Sequence, residues 1–87
     1  MSIPTTTPVR SAVQMGARLR RLRKEQKLTQ ADLAALSGLR QELISRIEQG
    51  HPGVHLEAIF ALLAALKHEV VLQSRSHSSA TDIADIF

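Results

Sequence analysis

Between Thr29 and Gly50 the sequence reads TQADLAALSGLRQELISRIEQG. Five of its residues, Arg40, Gln41, Glu42, Ser45 and Arg46, are types that read base edges or grip phosphates. Arg pairs bidentately with guanine, Gln pairs with adenine, Glu accepts from cytosine, and Ser bonds either bases or phosphates. The same residues would suit an ordinary solvated helix face, so the pattern around them has to decide. Counted from Gln30, a small residue (Ala34) falls at the fifth place and Gly38 at the ninth. Apolar Leu39, Ile44 and Ile47 fall at the tenth, fifteenth and eighteenth. Two helices crossing steeply through a short turn touch near the middle of the first, where only a small side chain fits. Gly supplies the positive φ of the turn, and the three apolar residues anchor the second helix so that residues 40–46 face outward.

The elements that must position this face follow from capping and periodicity. Thr7-Pro8 is a helix start signal, and Met15, Leu19 and Leu22 give a first helix running from near Pro8 to Gln26 an apolar stripe. Thr29 caps a second helix with Asp32 in its first turn, ending before Gly38. A third runs from about Arg40 to Gln49 and stops at Gly50 and Pro52. A fourth, Leu56–Leu66, shows Leu56, Ile59, Phe60, Leu63 and Leu66 on one face, widened by Leu62. His68–Arg75 has adjacent β-branched residues and no helix start, and reads as one strand. The fold class is therefore all-α, a small helical bundle with a helix-turn-helix, plus a short C-terminal β-strand. The boundaries are a flexible arm over 1–7, a DNA-binding domain over 8–67, a dimerisation strand over 68–75 and a mobile tail over 76–87. A lone strand leaves its backbone groups unpaired, and a twin across a twofold axis is the simplest partner. Glu69, Val70, Val71, Leu72 and Gln73 are the expected interface of a homodimer.

With 87 residues, the chain holds one small domain whose modest core a dimer interface would assist. Its net charge is +3, but the placement says more. Residues 10–27 carry Arg10, Arg18, Arg20, Arg21, Arg23, Lys24 and Lys27 against Glu25 alone, whereas residues 76–87 carry Asp82 and Asp85 and no Lys or Arg. A basic front suggests a polyanion partner. No cysteine is present, which removes disulfides and thiolate metal sites and is compatible with a reducing cytoplasm. The N-terminus lacks the basic start and apolar run of a signal peptide, and no segment is long and apolar enough to span a membrane. His51 and His55 are separated by Pro52 and Gly53, with no carboxylate to complete a ligand set. We expect no metal, and exposure or a phosphate contact for His51. No phosphate-cradling loop, nucleophile motif or paired carboxylate suggests an enzyme or a cofactor.

Thr29–Gly50, with the preceding ARLRRLRKEQKL, resembles the Xre/Cro-type helix-turn-helix family of phage repressors and antitoxins. The resemblance covers about residues 12–66. It implies phosphate contact by Gln30, a Gln30–Gln41 bond, and a buried structural ion pair between Arg23 and Glu48. The segment HPGVHLEAIFALLAALKHEVVLQSR is similar to the HipB-like antitoxin type, which partners HipA-like kinase toxins and pairs a short strand across its dimer. His55 departs from the Ser or Thr that usually caps the fourth helix there.

Together these readings imply a bacterial, cytoplasmic, nucleoid-associated repressor and antitoxin. It would bind double-stranded DNA at a palindromic operator, autoregulate its operon and hold a HipA-like kinase toxin. Arg40, Gln41, Glu42 and Ser45 would face bases, and Thr29, Gln30 and Arg46 phosphates. The alternatives are a module that neutralises a protein partner with little DNA binding, or a phage-type repressor without a toxin. Ile83, Ile86 and Phe87 would be either part of a disordered terminus or a short anchor for a partner protein.

Overall fold

The computed structural model describes residues 7–75. Four helices follow one another: α1 (Ala12–Glu25), α2 (Gln30–Ser37), α3 (Gln41–Glu48) and α4 (Leu56–Ala65). They enclose one core in which Leu19, Leu33, Ile44, Leu62 and Leu66 are wholly buried. Every helix contributes to it, and partly buried Met15, Leu22, Ala34, Leu39 and Leu43 close its edges.

Where α1 begins corrects the sequence reading. The start falls at Ala12, not Pro8, because Ser11 offers the better cap. Its Oγ accepts the Gln14 N–H, while the Gln14 side chain accepts the Arg10 N–H. The first bond caps an N–H of the opening turn, and the second ties the residue before the cap to that turn. The Thr7 carbonyl instead accepts from Arg18 Nη2 at 3.0 Å.

Gly16 sits where α1 crosses α3, and a Cβ there would lie 2.1 Å from the Ile47 carbonyl oxygen. The two backbones are thus in direct contact. At Gly38 the requirement is different. A Cβ would meet nothing within 4 Å, but φ is +78°, so conformation alone selects glycine.

Three helices end in the same way. The Leu28, His51 and His68 N–H groups reach back to the Arg23, Arg46 and Leu63 carbonyls, and the Lys27, Gly50 and Lys67 N–H groups bond the Lys24, Ile47 and Ala64 carbonyls. This doubly bonded closure needs a left-handed residue. Gly50 supplies it for α3, but Lys27 at φ 60° and Lys67 at φ 62° do so for α1 and α4. Gln26 Nε2 donates to the Leu66 carbonyl at 2.7 Å and ties the ends of α1 and α4 together.

The buried side of α4 is rotated from the expected one. Ala58, Ile59, Leu62 and Leu63 face inward, while Leu56 and Phe60 are 65% and 49% exposed. LEAIFALLAA is apolar nearly all round, so periodicity alone does not select a face. The observed face packs against α2, with small Ala58 among the residues turned inward. His55 precedes α4 without a side-chain cap bond.

Residues 68–75 are exposed and without regular secondary structure, so the expected strand is not formed within the chain. A strand exists only by pairing, and this segment pairs with no other among the described residues.

Gly16→Ala should destabilise the fold by about 1–3 kcal/mol, since overpacking forces backbone shifts. Lys27→Gly should stabilise it by up to about 1 kcal/mol. The left-handed penalty is relieved, and the added freedom of the unfolded chain offsets part of the gain. Urea denaturation of both variants checks this, and the opposite ordering would reject the account of these two backbone positions.

Candidate nucleic-acid interface

The interface is built on a buried ion pair. Arg23 Nε donates to Glu48 Oε2 at 2.7 Å, and Arg23 Nη2 donates to Oε1 at 3.0 Å. The remaining guanidinium nitrogen, Nη1, donates to the Leu28 carbonyl at 2.8 Å. Arg23 therefore holds three things at once: its own helix, the turn into α2, and α3. The side chains are 9% and 3% exposed, and no buried side-chain nitrogen or oxygen among the described residues lacks a hydrogen-bond partner. The Arg23 pKa is raised, foremost by the hydrogen bond to Glu48, against the opposing effect of burial. The guanidinium is a permanent cation, and its bidentate geometry suits a carboxylate.

Glu48 has a third donor. Gln30 Nε2 bonds Oε1 at 3.1 Å. The resemblance implied a Gln30–Gln41 bond; the hydrogen bond that the Gln30 side chain makes among the described residues is to Glu48. Gln30 and Gln41 nonetheless line one shallow concavity together with Glu42, Ser45 and Arg46. The ion pair thus also orients a side chain at the edge of the candidate surface.

On α3 itself, Leu43, Ile44 and Ile47 turn inward, and Gln41, Glu42 and Arg46 are exposed. Ser45 is half-buried. Arg40 occupies the position before the first helical residue, is exposed and makes no capping bond with its side chain. Thr29 is exposed at the start of α2 and forms a reciprocal capping box: its Oγ1 accepts the Asp32 N–H, and Asp32 Oδ2 accepts the Thr29 N–H, both at 2.9 Å. The structure therefore brings Gln30, Gln41, Glu42, Ser45 and Arg46 into one patch, with Thr29 and Arg40 adjoining it in sequence.

Gln49 was missed from the sequence. Its Nε2 donates to Ser45 Oγ at 3.1 Å, and so it fixes the serine hydroxyl from one turn away. The signal was the four-residue spacing on a helix, which puts the two side chains side by side. Glu69, Val70, Val71, Leu72 and Gln73 are all exposed, Leu72 at 90%. Ile83, Ile86 and Phe87 lie outside the described residues. His51 and His55 are exposed, and no three potential ligand side chains cluster for a metal among the described residues. No helix there is long and apolar enough to cross a membrane.

The helix-turn-helix domain model matches residues 14–82. The restriction-modification controller protein C.AhdI from Aeromonas hydrophila is 41% identical, with a TM-score of 0.63, over 67% of this chain and 88% of that one. A chain of a HipB–O1–O2 complex is 25% identical with a TM-score of 0.74, over 79% of this chain and 100% of that one. A chain of a HipA–HipB–O2–O3 complex is 24% identical with a TM-score of 0.76, over 82% and 100%, a likeness of fold. No curated protein sequence matches the chain.

Removing one partner of the buried pair strands a charge, so Arg23→Met should cost about 3–5 kcal/mol, and the double variant Arg23→Met with Glu48→Leu should recover most of it. A double-mutant cycle by chemical denaturation measures this; a double variant as unstable as the single one would show that Arg23 acts through packing. The Asp32 carboxyl is held below its usual range by the Thr29 backbone N–H foremost and the Thr29 side chain second. Its stabilising contribution is complete above the unfolded value, about 3.9, and is lost as pH falls through the lower folded value. The stability gap between the wild type and Asp32→Ala should therefore close on acidification; a gap constant with pH would dissociate the capping box from the carboxylate charge.

Proposed function

This chain belongs to the helix-turn-helix domain family, and on that footing we propose that it is a sequence-specific transcriptional repressor that reads operator DNA as a homodimer and serves as a HipB-like antitoxin. The observation that carries the reading is the outward polar face of α3, presented as one patch with Gln30 by a glycine turn and a buried ion pair. A rigid helix with Arg, Gln and Glu on its free side has the donor and acceptor set that major-groove base edges require.

In this proposal Arg40, Gln41, Glu42 and Ser45 meet bases, and Thr29, Gln30 and Arg46 meet phosphates. The exposed segment 69–73 pairs with its twin and sets the two copies of α3 about 34 Å apart, one turn of duplex. Operon autoregulation follows from operator binding, and the protein works in the bacterial cytoplasm on the nucleoid. The toxin arm is supported by the HipB likeness, since HipB occurs with HipA in one of the matched assemblies. A HipA-like kinase toxin is accordingly the proposed protein partner.

The test is a gel shift with duplex from upstream of the chain's own gene against a scrambled duplex. Arg40→Ala and Gln41→Ala should each reduce the preference by the equivalent of about 1–3 kcal/mol, the worth of a good bidentate base contact. Retention of the full preference by both variants would remove α3 as the reading helix.

A further inference from the structure

The α3 face leaves most of the positive charge of α1 unexplained. Three of the arginines there are engaged within the protein: Arg18 with the Thr7 carbonyl, Arg21 with Glu25 at 3.3 Å, and Arg23 with Glu48. Arg20 and Lys24 have no such partner among the described residues. They are exposed, one turn apart, and line a shallow hollow with Ala17, Arg21, Glu25 and Glu48. Ala17, one turn before Arg20, leaves open the space that a larger side chain would fill. Within this hollow Glu25 offsets Arg21 and Glu48 is offset by Arg23, so the charges of Arg20 and Lys24 remain.

This hollow adjoins the α3 patch. Glu48 lines the first, and the same carboxylate binds Gln30, which lines the second. Resting on the DNA-binding reading of α3, we propose that Arg20 and Lys24 form a second phosphate clamp, which grips the backbone of the duplex flanking the segment that α3 reads. Charge complementarity and continuity with the α3 patch favour DNA over an acidic protein as the occupant. Ala17 is the one apolar side chain in the lining, whereas protein interfaces are centred on apolar residues. A clamp of this kind carries no sequence information and acts as a uniform, salt-sensitive increment of affinity.

The experiment is the salt dependence of binding, by fluorescence anisotropy, for the full chain on a duplex from upstream of its own gene and on a scrambled duplex. Arg20→Ala/Lys24→Ala should lower the slope of log K against log salt by about 1.8 per protomer, the loss of two phosphate contacts. The ratio of affinities for the two duplexes should stay at the wild-type value. The charge-conserving Arg20→Lys/Lys24→Arg should keep the wild-type slope, which separates charge from helix integrity. Equal slopes for the wild type and the alanine variant would overturn the clamp and leave the α3 reading standing. A changed duplex ratio would overturn it too, by making these residues base readers. A wild type that does not distinguish the two duplexes would instead strike the α3 reading itself.

Discussion

Arg23 and Glu48 form the buried ion pair between α1 and α3, two helices that also meet backbone to backbone at Gly16. The guanidinium lies along α1, closes the turn at the Leu28 carbonyl and fixes α3 by a bidentate grip. Isolated helices of eight residues are marginal in water, and both α2 and α3 have that length. They therefore depend on tertiary contacts for their existence. The pair joins α1 to α3, and Gln30 extends it to α2 and to the surface. Its desolvation is costly, so it is better understood as a device for register than as a net source of stability. A hydrophobic replacement would pack as well, but it would not specify which turn of α1 faces which turn of α3.

The backbone contact at Gly16 works towards the same end. The approach of α1 to the Ile47 carbonyl puts the helices close enough for the Arg23 side chain to reach Glu48 with both ends paired. Gly38 sets the angle between α2 and α3, and the apolar side chains of Leu43, Ile44 and Ile47 set the rotation of α3 about its own axis. Position, angle and rotation are thus fixed by different residues, and the polar face of α3 is what remains outward once all three are satisfied.

Most of this was legible in the sequence because each signal had one physical solution. A Gly at the ninth place counted from Gln30, a Thr followed by an Asp three residues on, and apolar residues at the tenth, fifteenth and eighteenth places each specify local geometry. The signals that misled had two solutions. Thr7-Pro8 and Ser11-x-x-Gln14 both offer helix starts, and the Ser11 hydroxyl caps the helix that forms. The all-apolar α4 presents several faces, and only the surface of α2 decides among them. Gly16 reads as a weak point in a helix until the position of the Ile47 carbonyl is known. The Gln30–Glu48 bond lay beyond the sequence for the same reason: the resemblance pointed Gln30 to Gln41 alone, and the partner it has depends on how closely α1, α2 and α3 meet.

A reading face of this construction couples function to stability. Its geometry is the geometry of the core beneath. A small domain has only a few kcal/mol of net stability, and loss of a single buried partner can exceed that margin. Residues far from any ligand, such as Gly16, Arg23 and Leu33, therefore control presentation of Gln41 and Ser45 as firmly as the turn does. The exposed Val70, Val71 and Leu72 bear on the same point. If pairing with a second copy covers them, part of the stability missing from one chain is supplied by association, and the operator-reading form is also the more stable one.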